Sequence, residues 1–137
     1  MTEVTLRSGR LVRRWPTALG IAVVVALVLT GLFDRFAGGL VWAAVIYLVW
    51  GVFRGSYQNR SWLIAEVVGV LLFGAASVAA VLAEDRTAQI LLAFGWIAHM
   101  AWDVWHHRAD AVVPRWWAEQ CAVVDVLTAA LLLANAV

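Results

Sequence analysis

The sequence predicts an all-α fold: a polytopic membrane bundle of five transmembrane helices with a cytoplasmic N-terminus. Three observations carry that expectation. Hydrophobic residues make up 64% of the 137 residues and charged residues only 14%, and a soluble domain this small has too little interior to hide so much apolar surface. The apolar residues fall into five runs close to the roughly 20 residues that cross about 30 Å of hydrocarbon. The charges collect in the short connections between those runs.

A chain of this length accommodates one domain, residues 1–137. The first expected span runs from residue 16 to 33, with Pro16 at the helix start, where a missing N–H costs nothing. Four arginines precede it, as at the start of a signal peptide. The apolar run that follows is as long as a span, and no small-residue cleavage motif closes it before Asp34-Arg35. It therefore reads as a retained first helix. The second span is expected over 36–53, the third over 62–83, the fourth over 87–105 and the fifth over 116–136. Pro114, the only other proline, again sits just ahead of a span.

Arginine asymmetry sets the expected orientation. A cytoplasmic N-terminus places Arg7, Arg10, Arg13, Arg14, Arg54, Arg60, Arg108 and Arg115 inside, and only Arg35 and Arg86 outside. That bias predicts a multi-pass protein of the plasma (inner) membrane, with the lipid bilayer as its first partner. The formal charge of +1 gives no reason to expect nucleic acid. The single cysteine, Cys121, excludes an intrachain disulfide and a zinc site built on several thiolates. Ala75, Ala79 and Ala83 lie four apart on the third span and suit close packing within or between protomers, which leaves a homo-oligomer open.

Seven of the nine tryptophans, including Trp50, Trp62 and Trp102, fall at cytoplasmic span ends; Trp42 and Trp96 do not. Belts of indole anchor helices at headgroup level, usually at both interfaces. This lopsided set also suits the wall of a ligand pocket, with Trp50, Trp62 and Trp102 as its lining.

Ionisable groups within a span cost roughly 2.5–3.5 kcal/mol each near the membrane centre, so their placement is informative. The third span carries Glu66, the fourth His99 and Asp103 running into His106 and His107, and the fifth Glu119 and Asp125. At 1.5 Å per residue, Glu66 lies about 6 Å in from the cytoplasmic end, His99 about 10 Å, Asp103 about 4 Å and Asp125 about 13 Å. Positions distant in sequence thus converge on the inner half of the membrane. His99, Asp103 and His106 share an arc of about 60° on one helix. Cys121, Asp125 and Thr128 share a face of the fifth span, and Glu66 shares one with Gly69, Phe73 and Ser77.

Histidine nitrogens and carboxylate oxygens are ligands for Zn, Fe or Mn, and a carboxylate–histidine pair three residues apart suits metal sites in bundle cores. His99, Asp103, His106, Glu66 and Asp125 are the expected ligands of a divalent metal. His99, Asp103 and Glu66 are the expected catalytic groups, by Lewis-acid or acid–base chemistry. Arg54 and Arg60 would receive a substrate headgroup. The bland alternative distributes the same residues among structural pairs: Glu66 with Arg60, Asp103 with Arg108 or Arg54, His99 with Ser77.

The run Asp103-Val104-Trp105-His106-His107 resembles a fragment of the histidine boxes of membrane fatty-acid desaturases and hydroxylases. It departs from them in having one box, three histidines in all, and Asp103 where a histidine would stand. His99-Met100-Ala101-Trp102-Asp103 with Glu66 is similar in chemistry to the emopamil-binding type of sterol isomerase, which implies proton shuttling in a tryptophan-lined pocket. The HxxWDxxHH stripe as a whole also resembles uncharacterised small integral membrane protein families. The function expected is a membrane-embedded enzyme acting on a lipophilic small molecule. The alternatives are a proton or metal-ion transport protein using the same cluster, and a non-catalytic accessory subunit.

Overall fold

The computed structural model describes residues 13–137, so Arg7 and Arg10 lie outside the described residues. Every regular element among these is helical. The helices are α1 (Trp15–Leu29), α2 (Phe33–Ala37), α3 (Leu40–Phe53), α4 (Arg60–Val81), α5 (Asp85–Ala109) and α6 (Arg115–Ala136), with a 3-10 turn at Ser56–Gln58 between α3 and α4.

Their limits follow from local chemistry. Pro16 sits in the first turn of α1, and Gly31, in the left-handed region at φ 70°, turns the chain out of it. The Asn59 side chain accepts the Ser61 N–H and so caps α4. α5 ends at Asp110, whose φ of 50° is tolerated by a short polar side chain.

Two of the five expected spans, now α4 and α6, are helices both long and apolar enough to cross a membrane. The others differ from expectation for identifiable reasons. α1 has 15 residues and α3 has 14, about 22 Å and 21 Å of helix, because the glycines at 31, 38 and 39 interrupt the two runs. α5 reaches 25 residues, beyond the expected 87–105, by incorporating charged residues at both of its ends.

The helices form a layered bundle. α6 lies between α1 and α5, α5 between α6 and α4, and α4 between α5 and α3. α4 and α5 approach closely at Gly69, where a Cβ would come within 2.9 Å of the Trp102 ring. The polarity of the bundle is inverted. Glu66, His99, Asp103, His106, Asp125 and Thr128 are buried, whereas Leu71, Leu72, Val78 and Phe94 are at least 60% exposed.

Two apolar clusters enclose the buried polar residues. One, at the end where α2 lies, joins Phe33, Leu40, Phe73, Leu92, Trp96 and Leu132. The other, at the opposite end, joins Tyr47, Val112, Val113 and Ala118. Val112 and Val113 belong to the α5–α6 loop yet are fully buried, and the Ser56 hydroxyl holds that loop down by donating to the Ala111 carbonyl at 2.7 Å.

Candidate functional site

The five residues expected to act together divide into two groups on either side of Tyr47. The first is His99 and Asp103 from α5 with Asp125 from α6. His99 Nδ1 lies 2.7 Å from Asp125 Oδ2 and 3.5 Å from Asp103 Oδ1. The Tyr47 hydroxyl, from α3, donates to Asp103 Oδ1 at 2.5 Å. One potential ligand atom from each of His99, Asp103 and Asp125 lies within 4.8 Å of the others. The three can hold a metal ion.

The second group is Glu66 and His106, with Glu66 Oε1 2.7 Å from His106 Nε2. The other ring nitrogen, Nδ1, is 2.9 Å from the Trp102 carbonyl, which accepts only, so Nδ1 carries a proton. One further proton is then shared between Nε2 and Oε1. Whether it resides on nitrogen or oxygen, the pair is neutral as a unit, which suits complete burial. Trp62, Trp102 and Trp105 surround the His106 ring at centroid distances of 4.8–5.8 Å. Glu66 and His106 thus satisfy one another and stand apart from the three-residue group. The single five-residue ligand set expected from the sequence is not brought together; a stripe on one helix does not reveal which partner helix each member meets.

The structural pairings weighed as alternatives are also replaced. Glu66 meets His106 rather than Arg60, and Asp103 meets Tyr47 and His99 rather than Arg108 or Arg54. The Ser77 hydroxyl accepts from the Val41 N–H, not from His99. Arg54 lies 3.9 Å from Asp110, and Glu119 accepts from the Thr17 hydroxyl at 2.7 Å.

His99, Asp125, Tyr47 and Cys121 line a cavity of about 370 Å³ between α3 and α6. Its remaining wall is almost wholly apolar, and the exposed Trp42 and Ile46 mark its mouth on the side of the bundle. The tryptophans on it are Trp42, Trp96 and Trp117. Trp50, Trp62 and Trp102 serve elsewhere: Trp50 packs on Trp117, and the other two pack around His106. Neither Arg54 nor Arg60 lines this cavity. The cation on its wall is Arg35, at the end where α2 lies.

Burial decides the electrostatics. Asp103 and His99 are wholly inaccessible and Asp125 nearly so. With both carboxylates ionised, the group carries a formal charge of −2 beside a neutral imidazole and −1 beside an imidazolium. Isolated charge of that kind is heavily penalised away from water. Two buried atoms of the group, His99 Nε2 and Asp103 Oδ2, have no hydrogen-bond partner among the described residues. A divalent cation held by one nitrogen and two carboxylates would cancel the charge, and the donor set suits Zn, Fe or Mn. Near the loop end, burial and then the Glu66 carboxylate push the Tyr57 phenol from 10.0 to about 12, and its hydroxyl donates to the Leu48 carbonyl at 2.7 Å.

Tyr47 is the site residue that the sequence does not mark, because the second expected span holds no acid or histidine to draw attention to it. A polar hydroxyl in the middle of an apolar run was the available signal. Comparison of the chain with protein-family models, with curated proteins and with solved structures found no match in any of the three.

Proposed function

We propose that the chain is a multi-pass inner-membrane enzyme. In this reading His99, Asp103 and Asp125 hold a divalent cation that acts on a lipophilic substrate. The observation that carries the proposal is a buried His–Asp–Asp group with two unpartnered polar atoms, whose His99 and Asp125 stand on the wall of an apolar cavity that opens sideways. The inverted polarity of the bundle supports lipid as its solvent, since apolar side chains are favoured outside and polar ones must be paired inside. Five crossings follow if α2 and α3 together make the second, covering Phe33–Phe53.

The bound ion would act as a Lewis acid on a substrate oxygen or on water. The chain's own residues do the rest. Asp125, itself a ligand in this reading, also fixes the His99 ring through Nδ1, and Tyr47 orients the Asp103 carboxylate through its hydroxyl, as an outer partner of a metal ligand does. Val112 and Val113 exclude water from the loop end, and the Phe33–Leu40–Trp96 cluster excludes it from the other. A cavity of this size falls within the range of small-molecule sites. Arg35 offers a guanidinium to an acidic group on a substrate that enters between α3 and α6.

Those two apolar plugs also argue against the transport reading, which needs a polar route to both faces. The test incubates the full chain, reconstituted in vesicles of inner-membrane lipid extract, with and without chelator, and follows the lipids by mass spectrometry. At least one species should be consumed by the wild type and spared by Asp125→Asn. A lipid profile identical in all samples would reject the enzyme reading.

A further inference from the structure

The face of α6 opposite the cavity borders a second, larger concavity, about 750 Å³, between α1, α5 and α6. Its walls change character along their length. At one end are Arg13 and Arg14, just ahead of α1, with His107 and Arg108 from the last turns of α5. Toward the other end the lining is Met100, Val104, Val123 and Val126. From Arg108 to Met100 is eight residues of helix, about 12 Å, and from Glu119 to Val126 seven, about 10 Å. The groove therefore joins a basic head to an apolar channel roughly two turns long.

The basic end is biased in charge. Three arginines against Glu119 leave a net +2 with His107 neutral, and Glu119 is engaged by the Thr17 hydroxyl. Elsewhere at this end of the bundle, Arg54 and Arg115 share Asp110, at 3.9 and 3.5 Å. Arg13, Arg14 and Arg108 have no such carboxylate among the described residues. Guanidinium groups match phosphate oxygens in geometry and hold their charge at any physiological pH.

We propose that this groove binds the phosphate of an anionic phospholipid, with Arg13, Arg14 and Arg108 on the headgroup and an acyl chain along Met100, Val104 and Val126. The head alone would serve any phosphate. The apolar channel beneath it selects the lipid over the free anion. The site is separate from the cavity beside His99, since the two lie on opposite faces of α6, so it stands whether or not the chain is an enzyme.

Native mass spectrometry of the full chain, released from nonionic detergent, tests it. The probes are phosphatidylglycerol, phosphatidylcholine and inorganic phosphate, each titrated separately. One phosphatidylglycerol per chain should be retained at least tenfold more tightly than phosphatidylcholine, and inorganic phosphate should not be retained. The surface double variant Arg14→Ala, Arg108→Ala should lose that preference while folding normally. Glu119→Gln should tighten phosphatidylglycerol binding severalfold by removing the one opposing charge. Equal retention of the two phospholipids, or an undiminished preference in the arginine variant, would overturn the proposal. Inorganic phosphate held as tightly as phosphatidylglycerol would overturn the lipid assignment, and weaker binding in Glu119→Gln would overturn the anionic one.

Discussion

Replacing Glu66 separates two accounts of why a carboxylate is buried between α4 and α5. Among the described residues its only polar partner is His106 Nε2 at 2.7 Å, while His106 Nδ1 is committed to the Trp102 carbonyl. Glu66→Ala strands Nε2 in an apolar, tryptophan-walled space, at a cost of about 1–3 kcal/mol for an unpartnered buried group. The space left by the side chain adds on the order of 1 kcal/mol. Membranes reduce such values, because the unfolded helices also find partners. A loss near 2 kcal/mol is therefore expected, about 30-fold in the folding equilibrium. Glu66→Gln is different: its amide N–H can donate to Nε2 while Nδ1 keeps its proton, so the loss should stay below about 1 kcal/mol. Replacing both partners by leucine should recover much of the single-variant loss, since no polar atom is then stranded. Reversible unfolding in mixed micelles titrated with denaturing detergent measures all three. Glu66→Gln as damaging as Glu66→Ala, or Glu66→Ala without effect, would refute the paired-proton account.

Tyr47→Phe removes the hydroxyl that fixes Asp103 and should weaken divalent-ion affinity by about 10- to 100-fold, read by competition with a chromogenic chelator. Ala43→Phe, which fills the cavity beside His99 without touching the ligand group, should abolish lipid turnover while leaving metal content unchanged, measured on the same preparation. Gly69→Leu drives a side chain into the Trp102 ring and should cost about 1–3 kcal/mol in the micelle unfolding assay.

Much of the candidate site was legible because helical periodicity is strict. His99, Asp103 and His106 fall on one arc of α5, and all three are buried. Glu66, Gly69, Phe73 and Ser77 form the inward face of α4 for the same reason. What the pattern did not contain was pairing between helices. Nothing in the spacing distinguishes a partner for His106 on α4 from one on α6, so two separate polar groups read as one.

The cavity shows the same limit from another side. In sequence Trp42 and Trp96 differ from the other tryptophans only in lying away from the expected cytoplasmic belt, yet both line the cavity with Trp117. Indole content at span ends reports membrane depth, and depth says nothing of which groove a ring faces. The first two helices were harder still. Hydropathy summed over 16–33 and 36–53 is insensitive to single residues, whereas Gly31 alone turns the chain and ends α1 early.

Elemental analysis of the full chain, purified in detergent without added chelator, tests the central claim most directly. The account predicts about one divalent ion per chain, since three ligands in one cluster make a mononuclear site. The ion should be absent from Asp103→Asn, Asp125→Asn protein that otherwise folds, and chelation should lower the stability of the wild type. A wild type that holds no divalent ion after incubation with Zn, Fe or Mn, with stability unchanged by chelator, would contradict it.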